Sequence, residues 1–379
     1  MNEDPHKTAI VLMGGGIMGA AYEIGCLTAL DRLFPGRFST CRFDIYVGVS
    51  AGSIIASLLA NRIPPARLYR AIINDEQGTF NFSRSDIYRL DSKRSLLAAA
   101  SILKNLFRSL RKARGSQQSL TLSDIFHIIQ EQVPAGLFSL DPMQRYLCQS
   151  FADEKLTDRF SALQAELLIP AFDVDLGHRV VFGAPGYCNQ HICQAITASC
   201  AIPVFFRPYP IGNSFYIDGS TGRVGHIDLA IERGAKLIIA VNPRVPLRND
   251  RHNSCLPSLS SGECASISQL GVSFVWEQAQ RIENRERLEL ALNGYCRDHP
   301  DVDILLIEPS EDESLLFLQS PMSFDARRHI MEYGYYLTLT QLRNHFGSYR
   351  RAMARHGIDI SEQHLHDAPP QPTTNRDTP

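Results

Sequence analysis

The sequence has little of anything that marks an extreme class of protein. It carries one tryptophan, 21% charged residues and a formal net charge of −2 over 379 positions. So balanced a charge gives no global attraction to nucleic acid, and no nucleic-acid partner is expected. None of its nine cysteines forms C-x-x-C, and no histidine stands near a cysteine pair at zinc-finger spacing, so no metal is expected. No stretch approaches the roughly 18 uninterrupted apolar residues that a spanning helix needs. The opening residues MNEDPHKTAI lack a cationic segment followed by an apolar one, so no signal peptide is expected. Most cysteines sit in apolar company and read as free thiols in a reduced, cytoplasmic setting. A chain of this length with 44% hydrophobic residues can bury a large core without disulfides or metal.

What is present reads as an α/β protein. Thr8 to Met13 (TAIVLM) and Asp44 to Val49 (DIYVGV) are short apolar runs closed by small residues, the pattern of buried strands. The first is followed by Gly14-Gly15-Gly16 and a helical stretch, Ala20 to Leu33, with Ile24, Leu27 and Leu30 on one face. The second is followed by a small-residue helix, Ser50 to Ala60. Strand, tight turn and helix, twice over, predict a mostly parallel sheet. A hairpin is expected around Asp173–Gly177, and further strands at Phe215 to Asp218, Lys236 to Val241 and Val302 to Ile307.

A core over residues 8–245 is expected, then a mobile loop at 246–266 rich in Ser, Pro and Asn. A C-terminal strand and helices at 267–360 would pack on that core, with a disordered Pro-rich tail at 367–379. One stretch, Arg94 to Arg114, combines an apolar face (Leu96, Leu103, Phe107, Leu110) with a cationic one (Lys104, Arg108, Arg111, Lys112). It fits an interfacial helix and equally a core-packed helix with a solvated basic edge.

Three short segments carry chemistry. Gly48-Val49-Ser50-Ala51-Gly52 matches G-x-S-x-G between a strand and a helix, the context of a nucleophile elbow. Flanking glycines leave room for a sharp turn, and the helix N-terminus behind Ser50 stabilises developing negative charge. Gly14-Gly15-Gly16-Ile17-Met18-Gly19 satisfies G-x-G-x-x-G, but Asp44 lies 25 residues past Gly19, at the start of its strand. A dinucleotide site wants its acidic residue at that strand's end, so no such cofactor is expected. The glycine amides suit an oxyanion hole instead. Asp218-Gly219-Ser220 ends a strand and offers a base. A Ser-His-Asp triad stays open at this point, with His178, His191 and His226 as candidates, each reading as a surface or turn histidine.

The order GGGIMG, GVSAG, a long insert, then YIDGS resembles the patatin-like phospholipase family, and so do AITASCAIPVFFRPYPIGNSFYIDGS and LIIAVNP. The resemblance implies a three-layer α/β/α fold with a central, mostly parallel sheet. It implies a Ser50–Asp218 dyad in place of a triad, with Gly14, Gly15 and Gly16 as oxyanion donors and Gly48, Gly52 and Gly219 as motif glycines. It implies hydrolysis of lipid carboxylic esters without a cofactor, and reversible membrane contact, for which Arg94 to Arg114 is the candidate. A soluble carboxylesterase or thioesterase, or a non-catalytic member of the same fold, are the alternatives. Two positions depart from the family pattern: Met18, where Arg or Lys is usual, and Ser220, where Gly or Ala is usual. The first removes a positive charge beside the oxyanion loop.

Overall fold

The computed structural model describes residues 6–36, 38–76, 78–87, 89–90, 135–250, 256–257, 262–318 and 326–367. The stretch Arg94 to Arg114 and the tail beyond Asp367 lie outside them.

The parallel strands are β1 (Lys7–Leu12), β2 (Ile45–Gly48), the first part of β5 (Glu166–Asp173), β10 (Ala235–Val241) and β13 (Asp303–Ile307). They run in the order β13-β10-β1-β2-β5. Beyond β5 the sheet turns antiparallel, through β6 (His178–Phe182) on one side and β9 (Ser214–Ile217) with β8 (Tyr209–Ile211) on the other. A small second sheet joins β3 (Arg89–Leu90), β4 (Gly136–Ser139) and β7 (Val204–Phe206).

Continuous apolar runs form these strands because both faces of the sheet are covered. Along β1 the side chains alternate between two cores: Ile10 and Leu12 enter one, Ala9 and Val11 the other. The first core lies under helix α1 (Gly16–Leu30), helix α2 (Ala51–Ala60) and the Arg327–Asn344 helix. The second lies under the Ile227–Glu232 helix and one edge of the Val272–Asp298 helix. The result is the expected α/β protein, a central mostly parallel sheet with helices on both sides.

Some expected elements differ in detail. Helix α1 begins at Gly16 rather than Ala20, because the glycine loop runs straight into its first turn. The loop at 246–266 carries a short antiparallel pair, β11 (Leu256–Pro257) with β12 (Cys264–Ala265). The last of the expected C-terminal helices is two, Arg327–Asn344 and Phe346–Arg355, parted at His345. The cysteines depart most. Packing of the Asp141–Asp153 helix on the start of the Ile192–Ser199 helix brings the Cα atoms of Cys148 and Cys193 to 5.3 Å, and their sulfurs are joined. Cys264 is also disulfide-bonded. Cys26, Cys41, Cys188, Cys200 and Cys296 are free thiols. The bridges remove the ground on which a reduced compartment was expected.

Helix α1 is buried along its whole length, which is possible because Gly25 lets the Arg327–Asn344 helix approach. A Cβ at Gly25 would lie 2.1 Å from the Met331 carbonyl oxygen. This buried helix contains one ionisable carboxyl, Glu23. Its Oε1 accepts the Gly14 N–H at 2.8 Å, while Oε2 has no partner. Burial raises the Glu23 pKa well above the ordinary 4.5, and the Gly14 amide opposes that only in part. Burial thus favours the neutral form of Glu23, which holds the glycine loop through the Gly14 amide.

Between the ordinary and the raised pKa, the folded protein holds a proton that the unfolded chain has released. Stability therefore falls as pH rises through that window. Glu23→Gln keeps an acceptor for Gly14 and cannot ionise. Its stability relative to wild type should climb as pH rises above about 4.5. Urea unfolding of both proteins at acid and at mildly alkaline pH checks this; a constant difference would show that Glu23 is ionised in the fold.

Candidate active site

Ser50 sits where β2 gives way to α2, with φ 51° and ψ −130°. A non-glycine residue with positive φ stores strain of about 1–3 kcal/mol, and such residues concentrate at functional sites. The turn is tight enough to require its two motif glycines. A Cβ on Gly48 would lie 2.5 Å from the Ser53 Cα, and one on Gly52 would lie 2.7 Å from the Leu12 carbonyl oxygen. The Ser53 hydroxyl donates to the Ser50 carbonyl at 2.5 Å. Ser50 is 4% exposed, so its hydroxyl lies in a nearly closed site.

Asp218 follows β9 and is 1% exposed. Its Oδ1 accepts the Ser220 N–H at 2.8 Å. Its Oδ2 is buried with no hydrogen-bond partner among the described residues. Burial raises the carboxyl above its ordinary 3.8; the Ser220 amide, the Ser50 side chain, the Ser220 side chain and the Arg244 charge all pull it back down. Ser50 and Asp218, 168 residues apart in the chain, thus meet at one spot.

Ser199, at the end of the Ile192–Ser199 helix, ties them together. Its hydroxyl accepts the Ser50 N–H at 2.9 Å and donates to the Pro170 carbonyl at 2.7 Å. Its own carbonyl accepts the Gly219 N–H at 3.2 Å. Gly219 is required by contact, since a Cβ there would lie 2.2 Å from the Pro170 oxygen. Sequence reasoning included Ser199 in a matching stretch and gave it no role; nothing local in AITASC marks it.

The glycine loop lies at the carboxyl end of β1, beside Ser50: a Cβ on Gly14 would lie 2.4 Å from the Val49 oxygen and 3.1 Å from the Ser50 Cβ. The Gly14 amide is engaged by Glu23. The amides of Gly15 and Gly16 stand next along the loop.

The histidines separate. His226, expected at the surface or in a turn, is fully buried. Its Nε2 faces the Gly219 carbonyl at 2.7 Å and therefore carries the hydrogen. Its Nδ1 then accepts from Arg179 Nη1 at 3.0 Å. Burial first, then Arg179 and Arg223, depress its pKa to about 4 against the opposing effects of Gly219 and Asp228. A neutral ring with both nitrogens occupied is a brace for the Asp218-Gly219 turn. His191 pairs with Asp158 at 2.7 Å, and His178 is exposed on the hairpin. None of the three is hydrogen-bonded to Ser50 or Asp218.

An apolar cleft opens beside the site. It is partly open to solvent and is lined by Ile17, Ala20 and Ile24 of α1 and Ile54, Ile55 and Leu58 of α2, with Phe80, Phe82 and Phe151; neither Ser50 nor Asp218 lines it. Ile17 directly follows Gly16, and Ile54 lies one helical turn after Ser50. One candidate group of metal ligands exists among the described residues, Cys148, Asp158 and Cys193, with ligand atoms within 4.8 Å of one another. Its two sulfurs are joined to each other, so they are not available to a cation.

A family model described as patatin-like phospholipase matches residues 10–231, which contain every element of this site from Gly14 to Asp228. The probable lipid hydrolase 463L of Invertebrate iridescent virus 6 is 23% identical over 231 residues, or 60% of this chain. The chain spans 65% of that relative's length. Among solved structures, VipD from Legionella pneumophila is similar at a TM-score of 0.37 and 14% identity, over 90% of this chain and 67% of that one. With more than half of its length matched by the family model, the chain belongs to the patatin-like phospholipase family.

Proposed function

We propose that the protein is a serine acyl hydrolase of lipid carboxylic esters, with Ser50 as nucleophile and Asp218 as its base. The observation that carries this reading is Asp218 Oδ2: buried, without a partner, on a carboxyl whose ionisation the Ser50 side chain favours. A free carboxylate oxygen of this kind suits the role of base that takes the hydroxyl proton as Ser50 attacks an ester carbonyl. The oxyanion falls to the amides of Gly15 and Gly16, since Glu23 already occupies that of Gly14. Collapse of the tetrahedral adduct releases the alcohol, which takes the proton from Asp218. Water then deacylates the enzyme with Asp218 again as base. The apolar cleft running from Ile17 and Ile54 suits the acyl chain and supports a lipid over a short soluble ester. No helix among the described residues is long and apolar enough to cross a membrane.

Hydrolysis of p-nitrophenyl esters of short and long acyl chains tests this. Ser50→Ala should abolish turnover. Asp218→Asn should lower it by about 10²–10⁴-fold, the range of general base catalysis. Wild-type turnover in a folded Asp218→Asn protein would sink the dyad. A preference for short chains would favour the soluble carboxylesterase reading over a lipid one.

The same reading sets a pH dependence. Asp218 must be ionised to act, and burial holds its pKa above 3.8. The kcat/KM of wild type should therefore fall as pH drops through that raised value, above the pH at which an ordinary aspartate titrates. A profile flat down to the reference aspartate range would show that another group is the base.

A further inference from the structure

The glycine loop has a neighbour from a distant part of the chain. Strands β1 and β10 are parallel partners, so the loops at their carboxyl ends emerge side by side. The β10 loop lies against the glycines: a Cβ on Gly15 would lie 3.2 Å from both Pro243 Cγ and Arg244 Cγ. Crevices outside the carboxyl ends of parallel strands are where α/β folds bind ligands.

The Val272–Asp298 helix holds this loop by a ladder of polar contacts. Glu277 accepts Arg244 Nη2 on both carboxylate oxygens, at 3.1 and 3.2 Å. Arg281 donates to Glu277 at 2.8 Å and to the Val245 carbonyl at 3.0 Å. Gln278 accepts the Leu247 N–H and donates to the Leu247 carbonyl. Asn242 Oδ1 accepts the Arg244 N–H at 3.1 Å. Within the trio of Arg244, Glu277 and Arg281, two guanidinium groups face one carboxylate, so one positive charge is in excess. One donor also remains: Arg244 Nε is buried and has no hydrogen-bond partner among the described residues. A buried charged donor without an acceptor is costly and is relieved when an acceptor arrives. The Arg244 charge already reaches the site, since it favours ionisation of Asp218.

We propose that Arg244 is the anion-recognising residue of this site, its unpaired Nε–H and surplus charge binding a negatively charged substrate oxygen beside Gly15. The proposal rests on the acyl-hydrolase reading above. The oxygen has two sources, the oxyanion that develops on the scissile carbonyl and a phosphate oxygen next to the ester of a phospholipid.

Two measurements test it. In a Ser50→Ala background, calorimetric titration with dodecyl phosphate and with dodecyl maltoside separates anion binding from chain binding. Adding Arg244→Gln should weaken dodecyl phosphate about tenfold or more and leave the maltoside unchanged, with Arg244→Lys in between. Equal dodecyl phosphate affinity in Ser50→Ala with and without Arg244→Gln overturns the proposal. Kinetics then identify the source. If the oxygen is the developing oxyanion, Arg244→Gln lowers kcat on a neutral p-nitrophenyl ester and on a phospholipid alike. If it is the phosphate, only the phospholipid loses kcat/KM. Unchanged kinetics on both substrates also overturns the proposal. Turnover surviving in Ser50→Ala would instead sink the hydrolase reading, and leaves the dodecyl phosphate result standing.

Discussion

The hydroxyl of Ser199 is a single joint on which the site's geometry hangs. It accepts the amide of Ser50 and donates to the carbonyl of Pro170, while the backbone oxygen of the same residue receives the amide of Gly219. Three segments far apart in sequence, the elbow after β2, strand β5 and the turn after β9, are thereby fixed to the end of one helix. A positive-φ serine would relax without such a hold, because the strain at Ser50 persists only where the surroundings over-determine it. His226 completes the hold from the other side by donating to the Gly219 carbonyl. The buried hydroxyl and imidazole earn their places as hydrogen-bond partners for backbone groups that water cannot reach.

Burial gives the same physics two opposite uses. Glu23 and Asp218 are both enclosed carboxyls, and burial raises the pKa of each. Glu23 has a single amide to set against that burial, so the neutral form is favoured and serves as scaffold. Asp218 has the Ser220 amide, the Ser50 and Ser220 side chains and the Arg244 charge on its side. Those opposing groups offset part of the burial effect and favour the ionised form, whereas Glu23 has one amide to do so.

The legible part of the site was the part made by neighbours in sequence. Gly48 to Gly52 and Gly14 to Gly16 announce themselves because a tight strand-to-helix turn needs small residues at fixed spacing, and a Cβ at Gly14, Gly48 or Gly52 would meet backbone at 2.4–2.7 Å. The alternation of apolar runs with helical stretches likewise gave the parallel sheet. What stayed hidden depends on contacts across the fold. Glu23 carries no sign in the sequence, and only the full burial of α1 turns it into a strut that engages the Gly14 amide. His226 read as a surface histidine because a lone histidine after a glycine carries no sign of burial. Cys148 and Cys193 lie 45 residues apart, a spacing with no motif, and become partners only through the packing of two helices.

Met18 shows how a departure in sequence can be answered elsewhere in space. At 2% exposure on a helix with no solvent-facing side, position 18 offers a charged side chain no water and no partner. Methionine there is a packing solution. The positive charge that the resemblance placed beside the oxyanion loop is instead supplied across the β1–β10 pairing, by Arg244 against Gly15. That arrangement has a structural cost, since an arginine on a loop loses side-chain entropy when held in one geometry. The Val272–Asp298 helix meets it with contacts from Glu277 to Arg244, Gln278 to Leu247 and Arg281 to Val245, and the 5%-exposed Arg281 also holds Glu277. A helix that buries so few apolar side chains is hard to explain by core packing alone. Its polar ladder accounts for it: the helix holds the loop that lays Arg244 against Gly15.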